Sequence, residues 1–407
     1  MTTAPPTNPG QWPVTGAGTP AARTADGSPG QCPLRVLQVV PRFYPELGGL
    51  ETHVAAVTRR LADRDDIDIT VLATDRSGRL AQQDTVDGVR VLRRRSWPRK
   101  RDYYFSPGIM RVIADGGWDV VHFQSVHTLV PIVGMIAARR AGIPYVLSFH
   151  SGGYSSGVRA RLSGLQWKLL TPLLARSARL VAVSRFEKRR FSEATGIAPE
   201  HFVIIQNGGS LPPQGGDVRP LPGRIVSSGR LERYKGHHKA IEALPAVRRR
   251  IPDADLLILG GGTYEQPLRE LADELGVGTA VQIRHLPPSD RSAMADELAR
   301  SSVMVALSSY EAHPIGIMEA VASGLPVLGF DVAGIGDLVE DGLVRGIDAA
   351  SSADEIADAL VDLLSAQPSD QPHERPDIAL PTWEGCSDSL AQLYRDVARH
   401  AVPAVAP

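Results

Sequence analysis

The chain has 407 residues, of which 43% are hydrophobic and 22% charged, and its formal net charge is −1 at pH 7. That length is enough for two domains with separate cores, and the balanced charge excludes a global attraction to nucleic acid. Two distant cysteines, Cys32 and Cys386, form neither a disulfide framework nor a zinc site, and no apolar run reaches the length of a membrane span, so we expect a cytoplasmic protein.

Residues 1–33 are rich in Pro, Gly, Thr and Ala and lack the basic start and apolar stretch of a signal peptide, which predicts a disordered tail. Short apolar runs then alternate with helical patterns over residues 34–212, as is typical of a doubly wound α/β domain. Residues 213–223, rich in Pro and Gly, are predicted to be a linker. The alternation resumes over residues 224–382, so the sequence predicts an α/β fold with two domains.

The first predicted strand, residues 34–40, leads into a glycine turn that opens a helix. Gly48 and Gly49 let a backbone approach a ligand, and the helix start directs free N–H groups toward an anion. The fingerprint G-x-G-x-x-G is absent here, which argues against a nicotinamide dinucleotide. A plain strand-to-helix turn would also explain two adjacent glycines.

A later strand of the same domain, residues 144–150, places His150 at its carboxyl end, where open α/β sheets bind ligands. The small residues Ser151-Gly152-Gly153 follow it. A lone histidine after an apolar strand is more often structural than catalytic, so this position alone assigns no function.

Two basic stretches lie in the first domain. Residues 93–105 combine six cations with four aromatic side chains, which could bind nucleic acid, an anionic membrane surface or a phosphorylated acceptor. A solvated loop is an equally good explanation. Residues 158–176 have the pattern of a basic amphipathic helix, for which packing on the sheet is the simpler explanation. Peripheral membrane association therefore stays open.

The second domain begins with a strand that leads into Gly229-Arg230-Leu231-Glu232-Arg233-Tyr234-Lys235-Gly236. A guanidinium group can hold two phosphate oxygens and an ammonium group adds a compact charge, so Arg230 and Lys235 suit a diphosphate. Such a pair on one loop also occurs by chance.

Two carboxylates follow the strand predicted at residues 303–307. Glu311 lies on the loop after it, and Glu319 lies inside the next helix, which Gly324-Leu325-Pro326 ends. Both suit a ligand rich in hydroxyl groups, because each carboxylate accepts hydrogen bonds. Two solvated surface acids would give the same spacing.

The stretch from Glu311 to Val327 resembles the signature of the GT4 family of retaining glycosyltransferases. Glu311 and Glu319 enclose His313-Pro314-Ile315-Gly316, and Gly324-Leu325-Pro326-Val327 follows. The glycine turn, His150 and the loop of Arg230 and Lys235 fall in the family's order. This resemblance implies the GT-B fold, in which two Rossmann-like domains face each other across a cleft and a C-terminal helix, here within residues 383–407, crosses back to the first domain.

The resemblance implies an enzyme that moves a hexose from a UDP- or GDP-sugar, bound by the second domain, to a hydroxyl of an acceptor bound by the first. The acceptor would be a glycan, a lipid or a small-molecule aglycone, and no nucleic acid partner is expected. Fixed cations on the leaving diphosphate would make a metal ion unnecessary. The implied catalytic residues are His150, Arg230, Lys235 and Glu311. The implied donor-binding residues are Gly48, Gly49, Arg230, Lys235, Gly316 and Glu319, with Glu311 on the sugar and Glu319 on the ribose.

The chain departs from the family pattern at two places. Gln124 stands where relatives often have the second histidine of His-x-His, and Ala333-Gly334-Ile335-Gly336-Asp337 replaces Gly-Gly-x-Pro-Glu. Other functions stay open: a sugar-nucleotide epimerase or a nicotinamide oxidoreductase on a similar architecture, and a protein that binds a sugar nucleotide without turning it over.

Overall fold

The computed structural model describes residues 32–46, 48–99, 104–126, 128–150, 167–209, 218–287, 290–366, 373 and 381–400. Several predicted segments lie wholly or partly outside the described residues: 1–31 of the tail, 100–103 and 158–166 of the basic stretches, and 213–217 of the linker.

The described strands and helices alternate along most of the chain. The strands are β1 Leu34–Val40, β2 Ile67–Asp75, β3 Gln83–Val86, β4 Val89–Arg95, β5 Val120–Gln124, β6 Tyr145–Ser148, β7 Arg179–Ala182, β8 Phe202–Ile204, β9 Arg224–Ser228, β10 Asp255–Leu259, β11 Val281–Arg284, β12 Val303–Ala306, β13 Val327–Phe330 and β14 Arg345–Ile347. The helices are α1 Gly49–Ala62, α2 Gly108–Asp115, α3 Leu129–Arg140, α4 (described over residues 167–174), α5 Arg185–Thr195, α6 His237–Arg250, α7 Glu265–Glu274, α8 Arg291–Ala299, α9 Ile315–Ala322, α10 Ala333–Glu340, α11 Ala353–Ala366 and α12 Trp383–His400.

The first sheet has eight strands in the order β3-β4-β2-β1-β5-β6-β7-β8. All neighbours are parallel except β3 and β4, which form an antiparallel pair. Most parallel strands are nearly continuous apolar runs, because helices cover both faces of the sheet. The edge strand β3 was not predicted, since its residues are polar and mostly exposed and carry no apolar pattern.

The second sheet has six parallel strands in the order β11-β10-β9-β12-β13-β14. The strand order reverses between β9 and β12, where Val226 pairs with Met304. Such a reversal opens a crevice at the carboxyl ends of the two strands. The loop of Arg230 and Lys235 follows β9 and the loop of Glu311 follows β12, so both predicted loops meet at this crevice.

Each sheet is covered by helices on both faces, and the apolar side chains between the layers form the cores. On the first sheet, α2 to α5 pack on one face and α1 with α12 on the other. On the second sheet, α6, α7 and α11 cover one face and α8 to α10 the other. Two doubly wound halves were predicted, and this arrangement confirms them.

The last helix, α12, follows the second sheet in the chain but packs on the first. Leu390 and Tyr394 are 1% and 0% exposed in the core that they share with α1. Ion pairs of Arg64 with Asp388 and of Asp66 with Arg395 lie beside this contact. The predicted crossing helix is therefore present.

The basic stretch of residues 93–105 is not a single solvated loop. Arg93 to Arg95 end β4, and Arg93 is only 4% exposed. The Arg93 guanidinium pairs with Asp84 at 2.9 Å and donates to the Tyr44 carbonyl at 3.0 Å. A buried and paired guanidinium cannot bind a lipid headgroup, so the expectation of a solvated or membrane-facing segment is wrong at Arg93.

Candidate functional site

The crevice of the second sheet brings Lys235 and Glu311 together. Lys235 Nζ donates to Glu311 Oε1, and the two side chains are 16% and 18% exposed. Glu311 also accepts a hydrogen bond from Ser308 Oγ at 3.0 Å. Two predicted site residues from loops far apart in the chain thus form one half-buried ion pair.

Gly236 explains how the two loops come so close. Its φ of +75° lies in the left-handed region, and a Cβ added there would lie 1.9 Å from the Leu307 carbonyl oxygen. Only glycine combines that backbone angle with that approach. The glycine after Lys235 therefore has a structural role in seating the lysine beside Glu311.

Arg230 lies on the same loop but is more exposed. Its side chain is 68% exposed, pairs with Glu232 and donates to the Tyr234 hydroxyl at 2.7 Å. The Arg230 guanidinium and Lys235 Nζ both lie over the Tyr234 ring, at 5.9 and 5.5 Å from its centroid. The two predicted diphosphate-binding cations therefore share Tyr234 as a neighbour.

Glu319 is buried and paired with a residue that the sequence did not reveal. Its side chain is 7% exposed and accepts from Arg291 at the start of α8. Burial raises the pKa of Glu319 to about 7, although Arg291 acts in the opposite direction. Arg291 belongs to a distant helix and to no motif, so no local pattern could have indicated it.

Gly316 lies in the first turn of α9, facing the end of β9. The nearest atom to a Cβ added there would be Ser228 Oγ, at 3.8 Å. The first amides of a helix have no intrahelical partner and carry partial positive charge. The start of α9 thus adds hydrogen-bond donors to the crevice that holds Lys235.

The glycine turn of the first half stands at the start of α1, as predicted. Gly48 is the N-cap, and a Cβ added there would lie 2.6 Å from Glu51 Oε2. Glu51 is buried and pairs with Arg42 at 3.3 Å. No heavy atom lies within 4 Å of a Cβ built at Gly49. A side chain at position 48 would collide with the Glu51 carboxylate, so glycine is needed there. A side chain at position 49 would meet no other atom, so the start of the helix is accessible at Gly49.

His150 is held by a chain of buried polar side chains. His150 Nε2 contacts Gln124 Oε1 at 2.9 Å, and Gln124 Nε2 donates to Gln38 Oε1 at 2.9 Å. Gln38 Nε2 in turn donates to the Tyr394 hydroxyl of α12 at 3.0 Å, and that hydroxyl contacts His122 Nδ1 at 2.6 Å. Because Gln124 donates through its nitrogen, its oxygen accepts from His150, which places a proton on His150 Nε2.

These hydrogen bonds give Gln124 a clear role at the position where the sequence departs from the family pattern. Burial lowers the pKa of His122 to about 3, so His122 is neutral and its Nδ1 accepts from Tyr394. The crossing helix thus reaches His150 through three hydrogen bonds, from Tyr394 to Gln38, from Gln38 to Gln124 and from Gln124 to His150. Tyr394 could not have been assigned from the sequence, since nothing in its local pattern points to β5.

The two halves meet around His53 of α1. Its ring lies 4.5 Å from the His150 ring and 5.7 Å from the Trp383 ring of α12. Burial lowers the pKa of His53 to about 4, and repulsion from His313, on the loop of Glu311, lowers it further. Residues from the first half and a loop of the second half therefore share this junction.

The second departure from the family pattern lies at a different contact between the halves. Asp337 is 4% exposed, accepts from the Phe186 amide at 2.9 Å and pairs with Arg189 at 3.3 Å. Arg185 pairs with Asp341 beside it. Asp337 thus joins α10 to the start of α5.

Neither a metal-binding cluster nor a membrane-spanning helix occurs among the described residues. No three His, Cys, Asp or Glu side chains of the described part come together as a metal-binding group. None of the helices described here combines the length and apolar character that crossing a membrane requires.

Known proteins resemble both halves of the chain. Residues 47–210 match the family described as Glycosyltransferase Family 4, and residues 220–375 match the one described as Glycosyl transferases group 1. A GDP-mannose:cellobiosyl-diphosphopolyprenol alpha-mannosyltransferase of Xanthomonas oryzae pv. oryzae is 28% identical over 305 residues, which cover 72% of this chain and 78% of the relative. A glycogen synthase of Mycobacterium tuberculosis is 27% identical over 399 residues, covering 89% of this chain and 94% of the relative.

A solved structure shares the fold. Sucrose-phosphate synthase from Thermosynechococcus elongatus superposes with a TM-score of 0.72 at 18% sequence identity. The match covers 89% of this chain and 99% of that one. At this identity the likeness speaks for the fold alone, including the pair of facing doubly wound halves.

Proposed function

This chain belongs to the GT4 family of GT-B glycosyltransferases, and we propose that it moves a hexose from a UDP- or GDP-sugar to an acceptor hydroxyl with retention at the anomeric carbon. The observation that carries the proposal is the Lys235–Glu311 pair at the point where the strand order reverses. The pair joins a cation suited to a diphosphate and a carboxylate suited to sugar hydroxyls, in the crevice where such sheets bind ligands.

The proposed mechanism uses Lys235 and Arg230 on the leaving group. Cleavage of the anomeric bond leaves negative charge on the departing diphosphate, and fixed cations stabilise that charge most in the transition state. The contacts of Arg230 with Glu232 and Tyr234 are solvent-exposed and therefore weak, so the guanidinium can move onto the diphosphate. When Lys235 contacts the diphosphate, Glu311 is released to accept hydrogen bonds from the sugar hydroxyls.

Retention follows in this proposal from attack of the acceptor hydroxyl on the face that the diphosphate leaves: the new C–O bond forms as the bond to the diphosphate breaks, and the hydroxyl proton passes to the departing phosphate oxygen. We assign no carboxylate as a covalent nucleophile, because Glu311 holds the sugar hydroxyls and Glu319 the ribose. His150 would contact the donor sugar with the proton of Nε2 directed at Gln124. Glu319 binds the ribose only when it shares or releases Arg291, so the donor and Arg291 compete for one carboxylate.

Two experiments test the reaction on the full chain. Thermal shift with UDP-glucose, GDP-mannose and dTDP-glucose identifies the donor, and release of the nucleoside diphosphate is then measured with and without acceptor. A transferase releases nucleotide fastest with acceptor, and the anomeric coupling in the NMR spectrum of the product reports retention. An epimerase would instead convert the sugar nucleotide without acceptor, and a binding protein would release nothing.

We further propose that the acceptor is lipid-linked and is met at an anionic membrane surface. The polyprenol acceptor named for the Xanthomonas relative supports this, and so does a groove on the first half. Arg35, Arg90, Arg94 and Arg111 line this groove, which has a volume of about 850 Å³, together with the Trp118 ring. Each basic residue near an anionic surface contributes on the order of 1 kcal/mol.

Vesicle co-sedimentation tests the membrane proposal. Wild-type protein should sediment with vesicles containing phosphatidylserine, and salt should weaken the binding. A triple variant, Arg90→Ser, Arg94→Ser and Arg111→Ser, should stay in the supernatant. The matched control changes Arg249, Arg250 and Arg269 of the second half to Ser and should still sediment. Wild-type protein that stays in the supernatant at low salt would leave a soluble acceptor as the better proposal.

A further inference from the structure

The junction between the halves contains buried polar atoms without a hydrogen-bond partner in the described part of the chain. Both ring nitrogens of His313 and Nδ1 of His53 are of this kind. His313 is 7% exposed and His53 is 4% exposed, so bulk water does not solvate them. A buried donor or acceptor without a partner carries its full desolvation cost, and such atoms are therefore informative about a ligand.

The two histidines come from opposite halves and lie near the predicted donor site. His313 follows Glu311 on the loop after β12, and His53 lies in α1, which begins at the glycine turn. His313 contributes to lowering the pKa of His53, and the His150 ring is 4.5 Å from that of His53. The unpartnered nitrogens thus belong to one residue on the loop of Glu311 and to one whose ring lies beside His150.

The protonation state of the two rings indicates what kind of ligand they would bind. Burial lowers the pKa of both His53 and His313 to about 4, so both are neutral at pH 7. A neutral imidazole presents one N–H donor and one lone pair. A sugar hydroxyl also donates and accepts, whereas a phosphate oxygen only accepts and would leave the lone pairs unmatched.

We propose that His313 and His53 form a subsite for the transferred hexose, with one imidazole from each half on the sugar hydroxyls. The subsite rests on the proposed function and adds to it two residues that determine sugar specificity. Because its two sides belong to different halves, the hexose bridges the halves and holds them closed. The nucleoside diphosphate gains nothing from the two histidines.

The test compares binding of a sugar nucleotide with binding of the free nucleotide. Isothermal titration is carried out with GDP-mannose and GDP, and with UDP-glucose and UDP, on wild-type protein and on His313→Leu. We expect the variant to lose roughly tenfold or more in affinity for the sugar nucleotide and less than about twofold for the free nucleotide. His313→Asn, which restores a donor and an acceptor, should recover part of the loss.

Two controls separate the subsite from a structural role. His238→Leu removes another half-buried histidine whose Nδ1 has no partner, but one on α6 beside Tyr264, and it should leave both affinities unchanged. Thermal unfolding of His313→Leu should occur at the wild-type temperature or above it, because leucine removes unpartnered polar atoms from a buried site.

The outcomes distinguish this inference from the proposed function. If His313→Leu lowers the affinity for GDP-mannose and GDP equally, or changes neither, the hexose subsite is wrong while the transferase proposal stands. If the wild-type protein binds no sugar nucleotide at all, both are overturned. A loss confined to the sugar nucleotide, with partial recovery in His313→Asn, supports the subsite.

Discussion

Acidification should destabilise this protein through its buried histidines. Burial lowers the pKa of His53, His237 and His313 to about 4 and that of His122 to about 3. In the unfolded chain the same groups titrate near their ordinary value of about 6.5. Between about pH 4 and pH 6.5 the unfolded state therefore binds more protons, so the free energy of unfolding decreases as the pH falls.

Protonation of Glu319 opposes this loss of stability. Its pKa is raised to about 7 in the folded protein, so below that pH the folded state binds the extra proton and gains stability. From about pH 7.5 to about pH 5, each of the four histidines costs about 2 kcal/mol and Glu319 returns about 2 kcal/mol. The net loss is about 6 kcal/mol, comparable with the whole stability of many proteins.

The assay is thermal unfolding followed by tryptophan fluorescence and circular dichroism at constant ionic strength, in steps from about pH 7.5 to about pH 5. His313→Leu removes one of the four histidines and should reduce the loss by about 2 kcal/mol. Substitution of the exposed His285 by Leu is the control and should leave the loss unchanged. An unfolding temperature that stays constant over this range, or an equal loss in wild type and His313→Leu, would refute the assignment of these histidines as buried and neutral.

Three further outcomes are expected. Lys235→Ala should lower kcat roughly a hundredfold to a thousandfold because it removes a cation from the leaving group. The control is Lys239→Ala, which should keep wild-type turnover because the Lys239 ammonium donates to the Ala349 carbonyl instead. Full activity in Lys235→Ala would exclude the proposed role of Lys235. Turnover should continue in excess EDTA, since Lys235 and Arg230 supply the positive charge; inhibition that added magnesium or manganese reverses would contradict the metal-free proposal. Leu390→Ala should lower the free energy of unfolding by about 2–5 kcal/mol, as measured by urea denaturation. The control is Gln392→Ala on the exposed face of α12. Equal stability of the two variants would show that α12 is not packed on the first sheet.

Local patterns were sufficient for the fold class and for the elements that carry the motifs. Apolar runs flanked by helical periods predicted the parallel strands, because a strand covered on both faces must be apolar throughout its length. The spacing of Glu311 and Glu319 and the loop of Arg230 and Lys235 indicated the family, which the matches to both halves confirm. Trp383 and the helical pattern of residues 387–398 predicted the last helix, and the resemblance alone predicted that it crosses back to the first half.

What required the tertiary structure was the partner of each side chain. Arg291 on Glu319, Tyr394 in the chain that reaches His150 and Asp337 on the start of α5 are contacts between segments distant in sequence. Arg93 looked like part of a solvated basic run, yet it lies buried beside Asp84 because the edge strand β3 covers it. Sequence patterns report the periodicity of one segment, whereas burial and pairing depend on what a second segment places against it, and for this protein only the folded chain decided that.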